Sequence, residues 1–183
     1  MSVKSFVLMS FDVESTGLST YNDELTQIGC GYNRLVVNVE TSTIVSIERL
    51  VPFVSICNPE CKELSKIVTR ITGLTKEILK DGPPAGVMLH RWIEHSNRIC
   101  SADDIRILIA YNGATFDVPI CVGQSIRSKE IPDIAMYFRM LKITYFIDAL
   151  VFARTHFDAT TLPRTATGRA SWQMCIKRQL ATR

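Results

Sequence analysis

Phe11-Asp12-Val13-Glu14-Ser15-Thr16-Gly17-Leu18 is the stretch on which the reading of this chain turns. The residues ahead of it, Ser5–Asp12, are mostly apolar and end on an acid, which predicts a first β-strand. Asp12 and Glu14 are two apart at the end of that strand, so both carboxylates point to the same face. Two like charges on one face repel unless a cation neutralises them, and hard oxygen donors suit Mg²⁺ or Mn²⁺. The alternative is a solvent-facing strand edge. A second stretch, Ala110-Tyr111-Asn112-Gly113-Ala114-Thr115-Phe116-Asp117, follows the short apolar run Arg106–Tyr111. It delivers Asp117 to the start of a helix. There the carboxylate either satisfies free N–H groups or adds a third oxygen ligand, because open sheets assemble sites at strand ends.

Outward from these stretches, strands are expected at Leu25–Tyr32 and in a long region made of Leu35–Glu40 and Thr43–Phe53, with turns at Asn33-Arg34 and Thr41-Ser42. Such short connections predict an antiparallel meander. Short helices are expected over Leu64–Ile71 and Thr75–Leu79, with Thr75 as an N-cap. A clear helix is expected over Ala85–Cys100, where Met88, Trp92, Ser96 and Ile99 share a face. Helices at Asp117–Ser128 and Asp133–Leu141, a strand at Ile143–Ile147, a helix from Asp148 to Arg154, a loop at Asp158–Thr167 and a last helix at Ala170–Ala181 complete the series. The fold class is therefore α/β: a three-stranded antiparallel meander followed by two parallel strands, flanked by helices, in one domain spanning 1–183.

The chain has 183 residues, 46% of them apolar and 21% charged, an ordinary balance for a soluble globular domain. No run approaches the roughly 18 apolar residues of a membrane span, and the N-terminus reads as a strand rather than a signal peptide. A soluble, intracellular protein with no membrane partner is expected, with nucleus or cytoplasm left open. Six cysteines are scattered. Cys57 and Cys61 form a lone pair with three residues between them, short of the four ligands of a zinc site, so reduced and mostly buried thiols are the expectation. Of the net charge of +3, residues 154–183 contribute six basic groups against Asp158, while the first 153 carry 15 basic and 17 acidic groups, a net of −2. A basic tail of this kind either meets a polyanion, most commonly nucleic acid, or is a solvated end.

Taken together, these segments resemble the DEDD family of 3′–5′ exonucleases, whose fold is RNase H-like. Asp12-Val-Glu14-Ser-Thr16-Gly17-Leu18 resembles its opening pattern, and Asn112 through Phe116-Asp117 its middle pattern. Glu24-Leu-Thr-Gln27-Ile28-Gly29 resembles its second strand, Thr69-Arg-Ile-Thr72-Gly73-Leu74-Thr75-Lys-Glu77-Ile78 a further motif, and Phe146-Ile147-Asp148-Ala149-Leu150 its I-D-T/S-L segment. Proofreading subunits of bacterial polymerases and animal three-prime repair exonucleases are the nearest subgroups. The resemblance implies a metal-dependent 3′–5′ exonuclease acting on nucleic acid with a free 3′ end, DNA more than RNA. Asp12, Glu14 and Asp117 would be catalytic and would hold two Mg²⁺ or Mn²⁺ ions about 3.5–4 Å apart. Thr16, Gly17 and Leu18 would meet the terminal nucleotide, Leu18 as a wedge, and Asn112 and Phe116 would help hold the strand. Asp148 is implied to be structural. A homodimer or a polymerase-type partner is implied by relatives of both kinds.

The family pattern closes with H-x4-D or Y-x3-D on a final helix, supplying a fourth carboxylate and a general base. Residues 159–183 contain no His, Tyr, Asp or Glu. Gly168-Arg-Ala-Ser171-Trp172 resembles the start of the helix before that motif, so a C-terminally incomplete domain with impaired catalysis is expected. His156 with Asp158 is the weaker replacement, being closely spaced and early. His90 and His95, on the helix 85–100, are expected to pack or face solvent. The competing reading is an inactive exonuclease-like module that binds nucleic acid or protein.

Overall fold

Alternation of apolar and polar residues drives the first three elements into strands. The computed structural model describes residues 2–60, 64–128 and 134–156. The strand β1 runs Val3–Ser15, β2 Leu25–Asn38 and β3 Thr43–Ile56. Val7, Met9, Phe11 and Val13 of β1 are buried on one face with Ile28, Cys30 and Tyr32 of β2. The helices α1 (Lys66–Thr72) and α2 (Lys76–Leu79) follow; Ser65 caps the first and Thr75 the second, accepting from Ile78 N. Gly73, at φ +74°, ends α1 in the left-handed region that glycine enters at little cost.

The long helix α3 (Ala85–Ile99) lays Met88, Leu89, Trp92, Ile93 and Ser96 on the sheet. Its Trp92 ring stacks on Phe11 with centroids 4.8 Å apart and planes 5° from parallel. Next come β4 (Ile105–Ala110), α4 (Asp117–Arg127), α5 (Ile134–Leu141), β5 (Ile143–Asp148) and α6 (Ala149–His156). The sheet order is β3-β2-β1-β4-β5. The pairs β1–β2 and β2–β3 are antiparallel, β1–β4 and β4–β5 parallel. This is the expected meander followed by two parallel strands. Among the described residues no helix is long and apolar enough to cross a membrane.

One expected turn is absent. Asn33-Arg34 lies inside a continuous β2, paired to Leu8 and Val7 on one side and to Arg49 and Glu48 on the other. The cause is Arg34, whose side chain is drawn along the sheet. It donates to both oxygens of Asp104 (3.3 and 3.0 Å), to Glu48 (2.8 Å) and to the Ile99 carbonyl (3.2 Å). Those bonds outweigh the local turn tendency of Asn-Arg.

Two polar networks hold α3 against the sheet. Trp92 Nε1 donates to Tyr32 Oη (2.9 Å), Tyr32 and Ser96 hydroxyls are 2.7 Å apart, and Ser96 Oγ donates to the Trp92 carbonyl (2.8 Å). The one arrangement that uses every proton has Tyr32 donating to Ser96, so the buried polar atoms form a closed, satisfied ring. Burial pushes the Tyr32 hydroxyl pKa upward. Below it, the buried Arg106 donates to Asn97 Oδ1 (2.6 Å) and the Leu141 carbonyl (2.9 Å), while Asn97 Nδ2 donates to Met140 (2.9 Å). These bonds tie the end of α5 to α3 and β4. Cys30, Cys57, Cys100 and Cys121 are buried free thiols. Burial pushes Cys30 and Cys57 up to about 12, with Glu24 adding to the effect at Cys57. Cys57 donates inward to the Leu25 carbonyl (3.0 Å); Cys61 and Cys175 lie outside the described residues.

Candidate active site

Parallel pairing of β1 with β4 stops at Ser10↔Ile109, but β1 continues to Ser15. Its edge beyond Ser10 faces the turn 111–116 and the start of α4. Asp117, the first residue of α4 and only 2% exposed, reaches across: its Oδ1 accepts from Val13 N at 3.2 Å. Val13 lies between Asp12 and Glu14, and both of those side chains are half-buried on the face opposite Val13. The third acid is thus brought to the same strand end as the other two. A carboxylate in the first turn also sits favourably in the helix dipole. The donors are hard carboxylate oxygens, which fit Mg²⁺ or Mn²⁺ chemistry. Among the described residues no three His, Cys, Asp or Glu side chains converge closely enough to form a ready-made cation site.

The turn that carries Asp117 is held by Asp148 at the end of β5. Its carboxylate accepts from Asn112 N (3.0 Å), Ala114 N (3.1 Å), Leu150 N (3.0 Å) and Val151 N (3.4 Å), fixing the turn and capping α6 together. Asp148 is spent on backbone groups, as a structural residue would be. Asn112 has φ 56°, a conformation Asn tolerates better than most residues. A Cβ on Gly113 would lie 2.3 Å from that of Ala110, so only glycine fits. The Phe116 side chain is 6% exposed and belongs to the apolar core, which leaves it little surface for a substrate.

On the other side lies the loop 15–24. Thr16 is buried; its N donates to the Glu24 carbonyl (2.9 Å), and its Oγ1 donates to Asp23 Oδ1 (3.0 Å) and accepts from Glu24 N (3.0 Å). Asp23 also accepts from Ser19 N (2.8 Å). A Cβ on Gly17 would meet the Asp23 carboxylate at 2.6 Å, so Gly17 lets that acid lie against the chain. Leu18 projects from the loop, 79% exposed. Arg127, in the last turn of α4, donates to the Tyr21 carbonyl (2.7 Å), the Asp23 carbonyl (2.9 Å) and Gln124 Oε1 (3.2 Å). Gly123 of α4 admits the Thr20 carbonyl, which would stand 2.9 Å from a Cβ there.

No sequence expectation fell on Asp23, Gly123 or Arg127. The one available signal was Gly123, because an isolated glycine in a helical pattern usually marks close packing.

The three histidines make contacts of other kinds. His95 meets the Val51 carbonyl at 3.0 Å beside Tyr32 and Phe53, and His90 pairs with Glu94 on the surface. His156 stacks on Phe152 of its own helix. Asp158, the loop and last helix expected after it, and most of the basic tail lie outside the described residues.

Comparison with known proteins agrees with this fold. A protein-family model, RNase_T, described as exonuclease, matches residues 9–166. Over 108 residues the chain is 32% identical to DNA polymerase III PolC-type of Caldanaerobacter subterraneus subsp. tengcongensis, aligning 59% of this chain with 6% of that protein. E. coli exonuclease I in complex with a dT13 oligonucleotide is similar at a TM-score of 0.57 and 16% identity, over 82% of this chain and 29% of that one. A zinc-ion-bound form of the E. coli exonuclease I–ssDNA complex matches to the same degree. The chain therefore spans a small fraction of these relatives, and at that identity the structural likeness is one of fold, the RNase H-like sheet. Because the family match extends over most of its length, this chain belongs to the RNase_T exonuclease family.

Proposed function

We propose that this protein is a divalent-metal-dependent 3′–5′ exonuclease acting on nucleic acid, DNA more than RNA. The observation that supports it most is the 3.2 Å bond from Val13 N to Asp117 Oδ1, which brings an acid from the β4–α4 junction to the strand end that carries Asp12 and Glu14. In this reading those three acids hold Mg²⁺ or Mn²⁺. A divalent ion at such a site supplies Lewis acidity, acidifying water and stabilising the leaving oxygen. The chain's own residues do the rest. Leu18 offers an apolar edge to the terminal base, the backbone at Thr16 and Gly17 lines its sugar, and the turn at Asn112 braces the strand on the far side. Asp148 keeps that turn in place. Three acids at one strand end repel unless a cation neutralises them, which favours a nuclease over a binding module.

The test is digestion of a 5′-labelled oligonucleotide by the full chain with Mg²⁺ or Mn²⁺. Products should shorten stepwise from the 3′ end, stop with EDTA, and be absent with Glu14→Ala. Residues 159–183 offer no His or Tyr as a general base, so turnover by residues 1–183 alone is expected to be roughly 10²–10⁴ below that of a family member that has one. Absence of both metal-linked stabilisation and oligonucleotide binding would overturn the proposal.

A further inference from the structure

Tyr21 is the most exposed of the large apolar and aromatic side chains among the described residues, at 83%. Single exposed aromatics are common on mobile loops, but the backbone beneath this one is fastened. Arg127 holds the Tyr21 carbonyl at 2.7 Å and the Asp23 carbonyl at 2.9 Å. Asn22 N donates to Ser19 Oγ (3.1 Å), Asp23 N donates to the Ser19 carbonyl (2.9 Å), and Ser19 N donates to Asp23 Oδ2 (2.8 Å). The Thr20 carbonyl rests against Gly123. A loop backbone held by this many bonds loses less freedom on binding than a loose one, which favours affinity.

The same helix fixes where that ring stands. Asp117 opens α4, while Gly123 and Arg127 of α4 grip the Tyr21 loop. At 1.5 Å per residue, the grip lies about 9–15 Å along the axis from Asp117. That span equals about three to four stacked nucleotides at 3.4 Å each, and fewer if the strand is extended.

Resting on the nuclease reading above, we propose that Tyr21 is a stacking platform for a base upstream of the 3′ terminus, at the second to fourth nucleotide, in a single-stranded substrate. Leu18 and Tyr21 then meet different bases, and α4 sets the interval between cleavage point and platform.

The test uses the full chain and a 5′-fluorescein oligonucleotide protected by 3′ phosphorothioate linkages, read by anisotropy. Tyr21→Ala should weaken binding about 5- to 150-fold, the range for losing one base–aromatic stack, while Tyr21→Trp should hold or tighten it. The salt slope should not change, since no phosphate contact is lost. An abasic nucleotide at the second to fourth position should erase the difference between the wild-type chain and Tyr21→Ala; one at the terminal position should not. With 2-aminopurine at those positions, the full chain should quench its fluorescence and Tyr21→Ala should not. Tight binding by the full chain with equal affinity and quenching for Tyr21→Ala overturns this inference and leaves the nuclease reading standing. No binding by the full chain overturns this inference, and it overturns the nuclease reading too if the metal-linked rise in Tm is also absent.

Discussion

Asp117 performs two tasks with one side chain, and substitution can separate them. Its Oδ1 satisfies the Val13 N–H at the unpaired edge of β1, while its charge belongs to the proposed metal site. Asparagine keeps an oxygen there and loses the charge; alanine loses both. Asp117→Ala should therefore lower stability in urea by about 1–3 kcal/mol, the cost of an orphaned buried N–H. Asp117→Asn should cost less, and both should abolish the rise in Tm that Mg²⁺ or Mn²⁺ gives by mass action. Equal stability of the two variants would mean that the Val13 bond contributes nothing. Asp117 could be found in the sequence because an acid at a helix start after an apolar strand is a local pattern. Asp23 could not, because its partners are backbone groups of a loop whose shape no periodicity encodes. Phe116 shows the opposite limit: its place in the pattern was legible, but its burial depends on how α4 packs, which the pattern does not contain.

The element most completely read from sequence is α3, where period and burial agree from Met88 to Ser96. The element misread is β2, and the reason is long-range: Arg34 is kept in the strand by Asp104, seventy residues away. That pair carries a pH dependence. Burial alone would raise the Asp104 pKa, but Arg34, Ser5 and the Ser101 N–H together hold it below the usual carboxylate range. A carboxylate depressed in the folded state contributes stability above its unfolded pKa and loses it as pH falls through the folded value. Stability should thus drop below about pH 4, and Asp104→Asn should flatten that acid limb in a Tm-against-pH series while lowering Tm at neutral pH. At the β4–α4 junction, Gly113→Ala should cost about 1–3 kcal/mol through its clash with Ala110. It should also shrink the metal-linked Tm shift, because the displaced turn carries Asp117. An unchanged shift in that variant would show that the turn can relax without moving the acid.

Across the whole molecule, charge is segregated: a near-neutral body and a basic C-terminal stretch. If that stretch neutralises phosphates, deleting residues 164–183 should weaken oligonucleotide binding and make the plot of log K against log salt less steep. Identical slopes would make the asymmetry incidental. The meander was legible because its connections are short, and the two later strands because they alternate with helices; that β4 docks on β1 was not. The sheet order has another consequence, which concerns time rather than energy. The neighbours β1, β2 and β3 are adjacent in sequence, whereas Phe6 must wait for Ile105. Closing a loop of that length costs about 4 kcal/mol in chain entropy before any contact repays it, and such non-local pairing slows folding. A nascent chain can thus form the meander, with Asp12 and Glu14 on it, long before the ribosome has released Asp117. Asp117 reaches the Val13 N–H only when β4 docks, so no half-made chain has that acid at the end of β1.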